Sequence, residues 1–161
     1  MSREPGKPRP LDRTDRQILK HLQDDGRIAN VALAKKVNLT PTPCLERVRR
    51  LERDGYIRGY TALLEPGMVG AGLLVFVEID LLRTSPDAFR SFRREAMKLP
   101  ELLECHLVSG NFDYLLKARV RDMQEYRKLL GEKILALPGV SDSRSYVVME
   151  EVKESTCISI A

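Results

Sequence analysis

Residues 40–53 read TPTPCLERVRRLER, and this stretch decides what the N-terminal third of the chain is. Pro41 and Pro43 fall in a first helical turn, where backbone N–H groups have no intrahelical partner, so they start a helix rather than break one. The spacing predicts a helix over about 40–53 that Gly55 ends. Cys44, Val48 and Leu51 share one face, while Glu46, Arg49, Arg50 and Arg53 follow an i, i+3, i+4, i+7 pattern on the other, with Arg47 beside them. Upstream, LDRTDRQILKHLQDDG (11–26) predicts a helix with Asp12 as N-cap, Asp15 at the third position, Leu11 as a hydrophobic staple, and Ile18, Leu19 and Leu22 inward. Gly26 is expected to stop it as a left-handed cap. Asn30 is expected to cap a short second helix with Leu33, Ala34 and Val37 inward, and Asn38 sits where the chain turns sharply. Three short helices with a tight turn before the third form a helix-turn-helix unit. An ordinary three-helix bundle with a charged outer face shares that pattern.

Charge favours the first reading. Residues 1–60 hold 14 Lys/Arg against 8 Asp/Glu, and the rest hold 13 against 15, so the formal net charge of +4 comes wholly from the N-terminal third. A basic head on a near-neutral body is the distribution expected of a DNA-binding protein. On that reading Thr42, Glu46 and Arg47 reach base edges, because arginine fits guanine and glutamate accepts from cytosine. Arg49, Arg50 and Arg53 meet phosphates. With Thr40 at the helix entry, the candidate DNA-contacting set is Thr40, Thr42, Glu46, Arg47, Arg49, Arg50 and Arg53.

Beyond this head the period changes. A strand is expected over 56–64, then a boundary at Pro66, Gly67, Gly70 and Gly72. Leu73, Val75, Val77, Ile79 and Leu81 share one strand face. Then come a helix over 86–99 with Phe89, Phe92 and Ala96 inward, strands over 102–109 and 112–120 separated by Gly110-Asn111, a helix over 123–137 burying Tyr126, Leu130 and Ile134, and a strand over 143–152. The order β-α-β-β-α-β is the ferredoxin-like αβ-sandwich, an antiparallel sheet with both helices on one face. Leu74, Phe76, Leu115, Val148 and Val152 would lie on the uncovered face, which calls for a partner, and dimerisation is the cheapest answer. The fold class is α+β. The expected domains are a disordered arm (1–10), a helix-turn-helix domain (11–55), a hinge strand and linker (56–70), and a second domain (71–161).

Chemistry is excluded more readily than found. His21 and His106 stand alone, with no Cys or carboxylate at metal-ligand spacing. Cys44, Cys105 and Cys157 are odd in number and never in a CxxC pair, so neither a disulfide framework nor a zinc site is expected. No GxSxG, P-loop or GxGxxG occurs. Glu150-Glu151 on the expected last strand point to opposite faces. No catalytic or metal site and no cofactor is expected, and no apolar run reaches the roughly 20 residues of a membrane span. The expected location is cytoplasmic, with reduced thiols.

The stretch LDRTDRQILKHLQDDGRIANVALAKKVNLTPTPCLERVRRLERDGYIRGYTALL resembles the Lrp/AsnC family of bacterial transcriptional regulators, and so do LLVFVEIDL, ECHLVSGNFDYLLKARV, YRKLLGEKILALPGV and SYVVMEEVKES. The resemblance runs from about Leu11 to Ser155. It implies a winged helix-turn-helix head, a hinge strand and an effector-binding αβ-sandwich that assembles into dimers and higher oligomers such as octamers. It implies an activator or repressor of promoters on double-stranded DNA, nucleoid-associated, that responds to an amino acid such as leucine or alanine bound between subunits. The effector positions it implies are Leu107, Gly110, Asn111, Phe112, Asp113, Tyr114, Met123, Tyr146, Val147 and Val148. Physically, backbone N–H groups at a Gly110-Asn111 turn can hold a carboxylate, and Asp113 can receive an ammonium group. From the residues alone, Leu107, Val147 and Val148 read as core, Met123 as a gap-filler and Asp113 as a turn-stabilising residue, and only the resemblance makes them effector positions. Asn111 stands where relatives often carry an acid, which leaves effector preference open. Two other readings remain from the sequence: a small-molecule enzyme or carrier with an incidental basic head, and an architectural protein that wraps DNA with little sequence preference.

Overall fold

Two local signals in the head decide where its helices begin and how its turn is made. The computed structural model describes residues 9–160, so most of the arm expected at 1–10 lies outside the described residues. Helix α1 spans Arg13–Asp24, and its capping box is complete: the Asp12 side chain accepts from the Asp15 N–H and the Asp15 side chain from the Asp12 N–H. Its C-cap is Asp25 in extended conformation, and Gly26 has no positive φ, so the left-handed cap expected there is replaced by an Asp25 N–H bond to the His21 carbonyl. Helix α2 spans Asn30–Lys36 with Ala29 as N-cap. Asn30 does not cap it; its side-chain amide donates to the Pro41 carbonyl, 2.8 Å away, and so ties α2 to the start of α3. Asn38 takes the left-handed conformation (φ 56°) in the turn, and α3 spans Pro41–Arg53, with Gly55 (φ 79°) just beyond its end. Ile18, Leu33, Ala34, Val37, Cys44 and Leu51 make the head's buried core.

After α3 residues 57–65 form no helix or strand, and the Ile57 N–H donates back to the Leu51 carbonyl, so among the described residues the strand expected over 56–64 is absent. A strand is defined by its ladder, and no second segment among the head's described residues offers one. Tyr60 instead donates to the Glu52 carboxylate, and burial, helped by this bond, pushes its phenol up to about 12. Pro66–Val69 forms a short 3-10 turn in place of the end of the expected hinge.

The β-α-β-β-α-β order expected for the remainder is the order found. Strand β1 (Leu73–Leu81), helix α4 (Pro86–Ala96), β2 (Leu102–Leu107), β3 (Tyr114–Val120), helix α5 (Met123–Lys128) and β4 (Val140–Val147) form an antiparallel sheet in the order β2-β3-β1-β4. Val75, Val77, Ile79 and Leu81 pack with Tyr114, Leu116, Ala118 and Val120 against Phe92, Ala96, Tyr126, Leu129 and Ile134, so both helices cover one face. The last helix departs from expectation. It passes at Leu129–Ile134 into a π-helical turn that buries Leu129 and leaves Leu130 only partly covered.

Three boundaries move for identifiable reasons. β3 begins at Tyr114 rather than 112, because the Asp113 N–H and carboxylate are spent on β1. β4 ends at Val147 rather than 152: the following segment bonds back through the Val148 N–H to Leu74, and Glu151 pairs with Arg119 at 2.6 Å. Val152 is thus 87% exposed and on no strand, while Leu74 and Arg119 are buried. Finally, the chain separates into two compact units, 64–153 and a head comprising residues up to 63 together with 154–160. The stretch 154–161 was expected in the second domain, yet its described part groups with the head because the Gln23 amide donates to the Ile158 carbonyl (2.9 Å) and accepts from the Ile158 N–H (2.7 Å).

Candidate DNA interface and effector positions

Helix α3 presents two polar sides, and they do different things. Thr40, Thr42, Leu45, Glu46, Arg49, Glu52 and Arg53 are exposed, at one side of the helix and its entry. The Thr40 N-cap makes no side-chain capping bond, so its hydroxyl is available at the helix entrance. Arg47 and Arg50 point instead toward α1. Arg47 Nη1 bonds Asp12 Oδ2 at 2.5 Å and Asp15 Oδ1 at 2.8 Å, and Arg50 Nη2 lies 2.5 Å from Asp15 Oδ2. Only 1% of the Asp15 side chain is exposed, so this carboxylate is a buried charge held by two guanidiniums. The Arg47 hydrogen bond holds the Asp12 carboxyl down at about 2, and the Asp12 bond raises the Arg47 guanidinium.

Sequence reasoning placed Arg47 among base-reading residues and Arg50 among phosphate contacts; the structure uses both inside the head. It also gave Asp15 no role beyond the capping box. A signal was available. Arg47 stands three residues after Cys44 and four before Leu51, which puts it on the flank of the core face. Its spacing to Arg50 matches that of Asp12 to Asp15, one helical turn in each case.

The ten effector positions divide into two groups within the sheet unit. At one end, the 108–113 loop is stitched to β1: Val108 N–H donates to the Asp113 carbonyl, Asp113 N–H to Ile79, and the Leu81 N–H to Asp113 Oδ2 at 2.8 Å. Asp113 therefore spends one carboxylate oxygen as a turn-holding acceptor. Leu107, Gly110 and Asn111 are exposed and Phe112 half-buried. Tyr114 belongs to the core rather than to this surface: it is 1% exposed, stacked on Phe92 at 4.4 Å and edge-on to Phe89, and burial raises its phenol.

Toward the other end lie Met123, Tyr146 and Val147, all exposed, with Val148 half-buried. Tyr114 pairs across from Ile79 but Tyr146 from Phe76 and Val120 from Leu73. At about 3.3 Å per residue these positions are spread over roughly 10–20 Å. One chain does not gather them. Two open depressions in this unit, of about 240 and 530 Å³, are lined by residues such as Glu101 and Arg119 or Lys98 and Pro138, and by none of the ten. The uncovered sheet face is mixed rather than apolar. Phe76 and Leu115 share it with Glu78, Asp80, Lys117 and Arg144, and Tyr146 donates to Glu78, which raises its phenol. Among the described residues, no group of three or more His, Cys, Asp or Glu side chains is arranged to hold a metal ion, and no helix is long and apolar enough to cross a membrane.

Comparison with known proteins bears directly on both units. The Lrp/AsnC ligand binding domain model matches residues 74–158, and a winged helix-turn-helix DNA-binding model matches 11–58. The leucine-responsive regulatory protein of Serratia marcescens is 65% identical over 158 residues, covering 96% of each chain. That of Escherichia coli strain K12 is 65% identical over 158 residues, covering 98% of this chain and 95% of its own. Among solved structures, a transcriptional regulator of Neisseria meningitidis in complex with L-Met superposes with a TM-score of 0.89 at 39% identity, covering 93% of this chain and 97% of that one. An AsnC family regulator of Agrobacterium tumefaciens gives 0.88 at 37% identity, covering 92% and 97%.

Proposed function

The chain belongs to the Lrp/AsnC family of transcriptional regulators, DNA-binding proteins rather than enzymes, and from that premise we propose that α3 reads duplex DNA through its exposed side while the sheet unit binds a free amino acid between two copies of the chain. The observation that carries the DNA half is the division of α3 into an exposed side and a side held on α1. Thr42 and Glu46 stand where the N-terminal part of a recognition helix meets base edges. Thr40, Arg49 and Arg53 suit phosphates, which set orientation. Arg47 and Arg50 leave the contact set, because both are engaged with Asp15.

The effector half follows from the separation of the ten positions. A copy of the chain that sets its Met123, Tyr146 and Val147 region against the 108–113 loop of another would enclose a small ligand where one chain has only surface. The exposed backbone at Gly110-Asn111 suits its carboxylate, and Leu107, Met123 and Val147 suit an apolar side chain. Leucine is the first candidate, given the relatives' name, with methionine and alanine as comparisons. The assembly is at least a homodimer, with an octamer as the larger form. The mixed face carrying Phe76, Leu115, Glu78 and Lys117 offers pairing surface, and residues 58–64, which join no ladder among the described residues, offer backbone for a second copy. The protein acts in the cytoplasm on the nucleoid, and the amino acid shifts its DNA affinity by a coupling of about 1–3 kcal/mol.

A titration of the full chain against the upstream region of its own gene, with and without millimolar leucine, methionine or alanine, tests this. Nanomolar, salt-dependent binding that one amino acid shifts five- to 150-fold is expected. Binding no tighter than to random duplex, and unmoved by all three, would overturn it in favour of an architectural role.

A further inference from the structure

Resting on the DNA-reading role proposed for α3, we infer that Asp15 is the positioning residue of that helix: with Arg47 and Arg50 it fixes the rotation of α3 about its own axis, and the two arginines are struts rather than DNA contacts. Both oxygens of the carboxylate have partners. Oδ1 accepts a hydrogen bond from Arg47, while Oδ2 forms an ion pair with Arg50 and accepts from the Asp12 N–H at 3.1 Å. Asp12, the other half of the α1 capping box, holds Arg47 a second time. The residues that terminate α1 are thus the residues that grip α3, so the capping geometry of one helix is handed to the other.

The apolar contacts of α3 do not supply this. Cys44 and Leu51 are buried and Val48 partly so, and contacts of this kind are non-directional and tolerate small rotations. Charge-assisted hydrogen bonds are directional. One of them, from Arg47, and the close Arg50 ion pair one turn along α3 converge on one carboxylate, and two anchors one turn apart fix both roll and axial position. The tolerance for error is small. With side chains reaching about 5–6 Å from the helix axis, a roll of about 20° carries the tips of Thr42, Glu46 and Arg49 by about 2 Å, against a hydrogen-bond range of about 0.5 Å. Nor are the struts free to leave for phosphate. The Arg47 side chain is 31% exposed and Arg50 18%, and withdrawing either strips a donor from a buried anion.

The test uses the full chain, a duplex enriched by the unmodified protein from a randomised pool, and an unselected random duplex of equal length. Arg47→Ala leaves Arg50 on Asp15 and is the primary variant. It is expected to keep the native slope of log affinity against log salt, while Arg49→Ala lowers that slope by about one. Its specific-to-random ratio falls by about tenfold or more, with the loss spread across every base pair of the site in a mismatch scan. The triple variant Asp15→Leu/Arg47→Met/Arg50→Met replaces the network with apolar groups, a change that often preserves stability. It is expected to fold by circular dichroism, to keep the slope, and to bring the ratio down toward unity. A slope lower by about one in Arg47→Ala, a loss confined to one base pair, or an undiminished ratio in the folded triple variant each overturns the inference. If the unmodified chain enriches no sequence from the pool, the DNA-reading role itself fails, and that result precedes any variant.

Discussion

The two units of this chain are held in shape by different forces. Among the described residues the sheet unit buries fourteen hydrophobic residues in one cluster and keeps its buried charge, Arg119, on the opposite sheet face, whereas the head buries six and places a charged side chain, Asp15, beside that small core. A large apolar core specifies its fold through pattern and volume, and no single directional bond is needed. A small one gains uniqueness from polar geometry, at the risk that losing either partner strands a buried charge. Mutations should therefore act on the two units in opposite ways. Deletions of volume are expensive in the sheet unit, and deletions of charge are expensive in the head.

The largest effect is expected in the sheet unit. Phe92 is fully buried and stacked on Tyr114, so Phe92→Ala removes a ring that the surrounding strands cannot replace, at about 3–5 kcal/mol. Urea denaturation followed by circular dichroism should show this loss in the transition of residues 64–153, and an intact head would keep binding random duplex. Next comes Arg50→Ala, which leaves Asp15 with Arg47 as its one guanidinium and should destabilise the head by about 3 kcal/mol. If Arg50→Ala melts with the native protein, the contrast between the units is broken, because charge would then contribute no more to the head than to the sheet.

These expectations also mark how far the sequence could be read. Alternation in LLVFVEIDL gave β1 its bounds and its inward face, and the Asp12/Asp15 spacing gave α1 its start, since both depend on neighbours along the chain. Asn38 in the left-handed turn was legible for the same reason. What failed depended on partners distant in sequence. The 56–64 segment has strand composition but no ladder among the described residues. β3 starts late because Asp113 bonds to Ile79 and Leu81, more than thirty residues earlier. The π turn at Leu129–Ile134 shifts which leucine is buried, and a 3.6-residue period cannot announce it. In the candidate site, Thr42, Glu46, Arg49 and Arg53 were placed on an exposed side by helical period alone. Arg47 and Arg50 were not, because a residue on the flank of a helical stripe faces the core or solvent according to what the neighbouring helix offers.

A third, smaller effect sharpens the comparison through pH. Asp12 is held down at about 2 chiefly by Arg47, so its folded-state value lies below the usual carboxylate value near 4. A depressed acid contributes stability that is fully present above its unfolded value and is lost as pH falls through its folded one. The head should therefore lose part of its stability between about pH 4 and pH 2. Asp12→Ala should cost about 1 kcal/mol at neutral pH, through loss of the N-cap, and should flatten that acid limb. An acid limb identical in both proteins would assign it to other carboxylates.

The smallest effect separates stability from attachment. The Gln23 side-chain amide bonds both backbone groups of Ile158 and the Gln23 backbone carbonyl accepts from the Cys157 thiol, so one residue of α1 holds a segment whose own side chains are largely exposed. Little apolar surface is buried there, so Gln23→Ala should alter head stability by no more than about 0.5 kcal/mol. Its consequence should be local. The Ile158 amide loses its acceptor, and amide exchange there should accelerate toward that of an open chain while the amides of α1 stay protected. This contrasts with Arg50→Ala, which should speed exchange throughout the head because it acts on the interior. If Gln23→Ala instead loosens α1 as a whole, residues 154–160 are structural members of the head, and its small core relies on them as well as on Asp15.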